Sequence, residues 1–207
     1  MVPYGWDGRQ GVFAVWRLCP NCACLCLPAR DNAEMTSDSD DDRQRESGAP
    51  GKLRGTAVLL RPTTEADAPT LDRIVREPEV AAWWSVPDDY QEMLAILLDD
   101  EVIGAIQYSE ETDPEFRHAA IDIFLTSSRH GRGLGTDAVR TLAHWLIHAR
   151  GHHRLTIDPA AANTAAIRSY RKVGFKPVGI MRAYGRDYRT GGWADALLMD
   201  LLADELT

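Results

Sequence analysis

A mixed α/β (α+β) fold, strands and helices around one central sheet, is what this sequence predicts, on three observations. From Leu53 onward, apolar residues recur alternately with strand-like and helix-like period. A glycine-rich loop, RHGRGLGT at 129–136, stands between a strand-like run and a long amphipathic one. The chain then closes on two more strand-like runs, KPVGIMR and WADALLMDLL. A chain of 207 residues, 44% hydrophobic and 26% charged, has room for one sizeable core.

The elements follow in order. Residues 1–52 read as a disordered Cys-rich leader and an acidic linker, TSDSDDDRQRESGAPG, which holds nothing large and apolar to anchor a core. Met35 lies just ahead of that linker, so translation starting there would omit the leader. The domain spans 53–207. TAVLLRP (56–62) predicts a strand, TEADAPTLDRIVRE (64–77) a capped helix, and EVAAWW (79–84) a further helical turn before VPDD. The span 93–111 predicts a hairpin turning at DDE, and HAAIDIFLT (118–126) a strand too apolar for an edge. After the glycine loop, Leu134, Ala138, Val139, Leu142, Trp145, Leu146 and Ala149 form one helical face, ended by Gly151. RLTIDP (154–159) predicts a short strand, and NTAAIRSYRKVGF (163–175) a helix capped by Gly174.

Bulk properties narrow the partners. A formal charge of −8 argues against a nucleic-acid backbone and suits a cationic substrate. No apolar run reaches the roughly 18–20 residues that span a bilayer. All four cysteines lie in CPNCACLC, so no disulfide can staple the domain, which fits the cytoplasm. Their spacing is not that of two separated zinc-ligand pairs, and no metal is expected. His144 and His148 fall on the polar face opposite Leu142 and Leu146, which gives a solvated reading of the histidines between 144 and 153.

A strand, a glycine loop and a helix in succession make an anion site, because loop N–H groups converge and the helix N-terminus adds a favourable dipole. The glycines match neither the dinucleotide fingerprint nor the P-loop. A tight turn would use them as well.

Together HAAIDIFLT, HGRGLGT and IDPAAANTAAIRSYRKVGF resemble the GNAT superfamily of acyl-coenzyme A N-acyltransferases over about 150 residues, with the aminoglycoside 6'-N-acetyltransferases the most similar subfamily. That resemblance implies a mostly antiparallel sheet splayed between two parallel strands and flanked by helices. It also implies acetyl-coenzyme A as co-substrate and a cationic small-molecule amine as acceptor, in a monomer or homodimer. By the same resemblance the coenzyme pyrophosphate meets Arg129, His130, Gly131, Arg132, Gly133, Leu134, Gly135 and Thr136, and the pantetheine arm meets Phe124, Leu125, Asn163 and Ala166. Leu125 would offer an N–H to the acetyl oxygen, Asp122 would act as base or cation anchor, and Tyr170 would protonate the thiolate. Asp158, Trp83 and Trp84 would wall the acceptor. The family has Gln or Arg where His130 stands.

Plainer readings stay open for several of these residues. Asp122 would serve as a strand carboxylate paired with Arg or His, and Asp158 as the start of an Asp-Pro turn. Tyr170 would pack on Ile167 or Phe175, Asn163 would cap its helix, and at least one tryptophan would be core. Acceptors other than an amino-sugar, such as a protein N-terminus, a polyamine or another metabolite amine, fit the same core. So does a non-catalytic coenzyme A sensor.

Overall fold

The computed structural model describes residues 50–207, so the cysteine cluster, Met35 and the acidic linker lie outside the described residues. Eight strands form one sheet: β1 (Leu53–Arg54), β2 (Leu59–Pro62), β3 (Leu94–Leu98), β4 (Glu101–Glu111), β5 (His118–Leu125), β6 (Arg154–Ile157), β7 (Lys176–Arg186) and β8 (Trp193–Leu202). Four helices accompany them: α1 (Ala68–Val75), α2 (Pro78–Ala81), α3 (Leu134–His148) and α4 (Thr164–Arg171). The strand order is β1-β2-β3-β4-β5-β6-β8-β7. Every neighbouring pair is antiparallel except β5 and β6, which run parallel and pair only at Ala119–Leu155 and Ala120–Thr156.

Two cores sit on the sheet. One packs Leu134, Ala138, Val139, Leu142 and Leu146 of α3 with Ile167, Tyr170 and Phe175 against Ile121 and Leu155. The other packs Leu71, Ile74 and Val75 of α1 against Ala105 and Phe124. Alternation along β5 sends Ile121 to the first core and Phe124 to the second, which is why this strand reads as apolar throughout.

Local chemistry explains where elements begin and end. The strand expected from Thr56 starts at Leu59, because the N–H groups of Thr56, Ala57 and Val58 donate to the Asp137 carboxylate at 3.0, 2.7 and 3.0 Å. Those bonds hold Asp137 below the usual carboxylate range against the opposing effect of burial. The β3–β4 hairpin turns on Asp99 and Asp100, both at positive φ (49° and 65°), the conformation that a two-residue loop needs. Ala149 is exposed, since α3 stops at His148 and Gly151 (φ 73°) turns the chain. That turn buries His152, whose Nε2 lies 2.6 Å from Glu110, so this histidine departs from the solvated reading and has a carboxylate companion. His144 and His148 are exposed, as the pattern predicts. Among the described residues no helix is long and apolar enough to cross a membrane.

Candidate active site

The site begins where the sheet opens. Thr126 N–H donates to Ile103 O at 2.8 Å, which sets the phase of the β4–β5 ladder: Phe124 faces β4 with its polar groups, while Ile123 and Leu125 turn theirs to the other side. On that side β6 pairs only with Ala119 and Ala120. The main chain of Ile123 and Leu125 therefore borders the opening without a strand partner. Gly104 lies opposite Leu125, and a Cβ there would stand 2.2 Å from Phe124 O and 2.9 Å from Leu125 Cα. Only glycine permits so close a strand approach.

The 129–136 loop continues from this edge. Glu77, just before α2, accepts from Thr126 Oγ1 (2.8 Å) and Ser127 N–H (2.7 Å) and so ties the start of the loop to the α1–α2 corner. Gly131 and Gly133 have φ of 73° and 81°, and Gly133 stands at the head of α3. A Cβ on Gly133 would meet no protein atom within 4 Å, so the space before it is open. The His130 ring nitrogen Nε2 lies 2.9 Å from Leu125 O, and Arg129 is engaged by Glu101 at 2.7 Å. Thr136 meets Ser169 at 2.7 Å, joining α3 to α4.

A cleft of about 530 Å³ follows from this arrangement. Most of the residues singled out in the sequence line it: Phe124 and Leu125 on β5; Arg129, His130, Gly131, Gly133, Leu134, Gly135 and Thr136 in the loop and first turn; and Asn163, Ala166 and Tyr170 on the opposite wall. Trp83 and Trp84 close one end. Arg132 is exposed and does not line it. Asn163 caps α4, its Oδ1 accepting Ala166 N–H at 3.1 Å. Arg168, Ser169 and Lys172 also line the cleft and escaped the sequence reading. Their signal was the four-residue spacing from Thr164 to Arg168 to Lys172 on one helix face.

Behind Tyr170 stand two acids. Among the described residues Asp122 has no cationic partner and accepts a long contact from Gln107 Nε2 (3.4 Å). Burial, and then the neighbouring Asp158, push its carboxyl up to about 6. Asp122 and Asp158 are half-buried and are not among the residues that line the cleft; their surroundings govern their charge. Burial also raises Asp158, with the Tyr184 hydroxyl donating to it in opposition. The phenols of Tyr170 and Tyr184 are held above their ordinary range by burial and by both carboxylates, which puts all four groups within electrostatic reach. Tyr170 also packs on Phe175, ring centroids 6.3 Å apart. Gln107 and Tyr184 were missed in the sequence because both lie on strands remote from the motifs.

A second recess, of about 340 Å³, adjoins the cleft across Ala82 and Trp83. Arg186, Asp187, Arg189, Trp193 and Asp195 of the β7–β8 end line it. Arg189 stacks on Trp83 at 4.6 Å and Arg186 on Trp193 at 5.2 Å. Trp84 instead packs on Phe124 at 5.1 Å, so one tryptophan of the pair serves the core and the other faces the recess.

Residues 58–175 match the acetyltransferase (GNAT) family model. The chain belongs to the GNAT family. It is 31% identical to aminoglycoside N(6')-acetyltransferase type 1 of Klebsiella pneumoniae, an alignment covering 59% of this chain and 76% of that one. It is 41% identical to a kanamycin resistance protein of Rhizobium radiobacter, over 35% and 66% of the two chains. Among solved structures, Mycobacterium smegmatis RimJ in complex with CoA-disulfide superposes with a TM-score of 0.64 at 27% identity, over 75% of this chain and 88% of that one. AAC(6')-Ib in complex with ribostamycin and coenzyme A gives 0.59 at 27% identity, over 72% and 95%. The GNAT fold, with its mixed sheet opened between parallel strands, is the fold of this chain, and the chain is an acetyltransferase.

Proposed function

We propose that this GNAT enzyme transfers an acetyl group from acetyl-coenzyme A to a primary amine of a small cationic molecule, in a ternary complex. The observation that carries the reading is the unpaired β5 edge leading into the open glycine loop. An extended arm with amide groups fits beside Ile123 and Leu125 as an added strand, and a pyrophosphate fits over Gly131–Thr136 at the head of α3. Arg168 and Lys172 supply positive charge on the facing helix. The chain's resemblance to RimJ and AAC(6')-Ib, whose structures hold coenzyme A compounds, supports this choice of co-substrate.

Acetyl-coenzyme A supplies an acyl group activated as a thioester; this chain's residues bind, orient and move protons. Asp122 and Asp158 draw the acceptor's ammonium into the splay. Asp122, half-ionised near pH 6, takes its proton directly or through one water. The Leu125 N–H is fixed beforehand by the ladder and stabilises charge growing on the carbonyl oxygen without reorganising. Tyr170 keeps its proton at neutral pH and stands ready to donate it to the departing sulfur. His130 contacts the Leu125 carbonyl and lines the cleft beside the loop.

For the acceptor, an amino-sugar of the aminoglycoside kind is supported by the Trp83 face and by the relatives' names. Thiol release from acetyl-coenzyme A across amino-sugars, polyamines and N-terminal peptides tests the proposal. Turnover confined to amines supports it, and coenzyme A binding with no turnover on any amine would favour a sensor.

A further inference from the structure

The recess beyond Trp83 holds an arrangement that an ammonium-binding site does not require. Among the described residues Arg186 meets no carboxylate, and its guanidinium lies over the ring of Trp193, its cross-strand partner. A guanidinium held over a ring face still has N–H donors to offer, and a carboxylate or phosphate accepts such donors in pairs. Arg189 is fixed the same way on Trp83, with Nε and one terminal nitrogen turned to Asp187 (3.1 and 3.4 Å) and the other terminal nitrogen left over.

The recess is also in line with the acids. Tyr184, whose hydroxyl neighbours Asp158, stands two residues before Arg186 on β7. An irregularity between Met181 and Gly185 bends this stretch of β7, with Ala183 at φ 49° and its N–H bound to Asp195 at 2.8 Å. Through Tyr184 the β7 strand links the surroundings of Asp158 to the recess that Arg186 and Arg189 line.

Resting on the acetyl-transfer reading, and narrowing its acceptor from a simple cation to a molecule bearing both charges, we infer that the acceptor carries, besides its amine, an anionic group that Arg186 and Arg189 hold: a phosphate or a carboxylate on an amino-sugar or short peptide. Asp122 and Asp158 receive the ammonium end and the arginines the oxyanion end, which fixes which amine is acetylated. The other charges at the recess, Asp187 and Asp195, are each taken by a bond within the β7–β8 end.

Matched acceptors test this in the thiol-release assay: glucosamine against glucosamine 6-phosphate, alanylalanine amide against alanylalanine, and kanamycin. The inference expects the anion-bearing member of at least one pair to have the lower acceptor KM by about tenfold or more, and Arg186→Ala to erase most of that difference while Arg186→Lys keeps part of it. The sugar pair answers for phosphate and the peptide pair for carboxylate. Equal KM values within both pairs, or a variant that improves KM for polycationic kanamycin without changing the anion preference, would overturn the inference and leave acetyl transfer standing. No thiol release with any of the five amines, despite coenzyme A binding, would overturn the acetyl-transfer reading itself.

Discussion

The half of the site around Leu125 and the 129–136 loop is made of main chain, whereas the half around Asp122, Asp158 and the β7–β8 end is made of side chains. In the first half, shape comes from ladder phase, from glycines at 104, 131 and 133, and from the head of α3. In the second, three strands, the residue after β6 and a turn contribute Gln107, Asp122, Tyr184, Asp158 and Arg189, and burial with the proximity of the acids sets the protonation of Asp122, Asp158 and Tyr184. Main chain presents donors that only a proline substitution removes directly, so that half answers chiefly to steric change. The acid half answers to charge, and there a single exchanged atom redirects chemistry.

The difference can be broken most strongly at Gly104. Gly104→Val places carbon where Phe124 O and Leu125 Cα already stand, so β4 must move off β5. Coenzyme A affinity is expected to fall at least about 100-fold, with a stability loss of about 1–3 kcal/mol, the usual cost of overpacking. Calorimetric titration and a melting curve measure both. If the variant binds normally, the close approach at Leu125 is not what shapes the edge.

Asp122→Asn comes next. Loss of a positioned base costs about 10²–10⁴ in kcat/KM. Wild-type kcat/KM should rise with pH through about 6 and then level, and the variant should lack that step. Stability should move the opposite way. The folded carboxyl is held near 6 and the unfolded one near 4, so the native state binds the extra proton between those values, and wild-type stability drops as pH rises through that window. At pH 7.5 the variant should melt a few degrees higher than wild type, and below pH 4 the gain should vanish. A variant that is both inactive and less stable at pH 7.5 would mean that Asp122 supports the fold rather than the reaction.

Smaller effects sharpen the contrast. Tyr170→Phe keeps the packing on Phe175 and removes only the hydroxyl, so kcat should fall about 10–100-fold with little change in Tm. Trp83→Ala takes away one face of the recess and should raise acceptor KM about tenfold with coenzyme A affinity unchanged, whereas Trp84→Ala, by opening the core at Phe124, should lower Tm. Steady-state kinetics beside thermal melts separate the two tryptophans.

The main-chain half was readable in the sequence because its determinants are local. Three glycines, a helix face of period 3.6 and an Asn before α4 lie within one stretch, and the α3 face reappears in the core from Leu134 to Leu146. Ladder phase was not readable: it depends on the pairing of Gly104 with Leu125, 21 positions apart, and Gly104 carried no mark in the sequence. The acid half was legible in its two carboxylates and hidden in their partners. Tyr184 reaches Asp158 through a bulge, and Arg189 reaches Trp83 across more than a hundred residues, contacts that periodicity does not encode. His152 was misjudged for the same reason, since its Glu110 partner lies on another strand.

The central claim is that main-chain groups on the open β5 edge and in the glycine loop hold the acetyl donor. Backbone amide NMR with acetyl-coenzyme A tests it most directly. The largest shift changes are expected at Ile123, Leu125 and the amides of 131–136, with slowed hydrogen exchange at Leu125, and with little change along β1 and β2. Binding that leaves the Leu125 and Gly133 amides unmoved while shifting residues elsewhere in the sheet would contradict it.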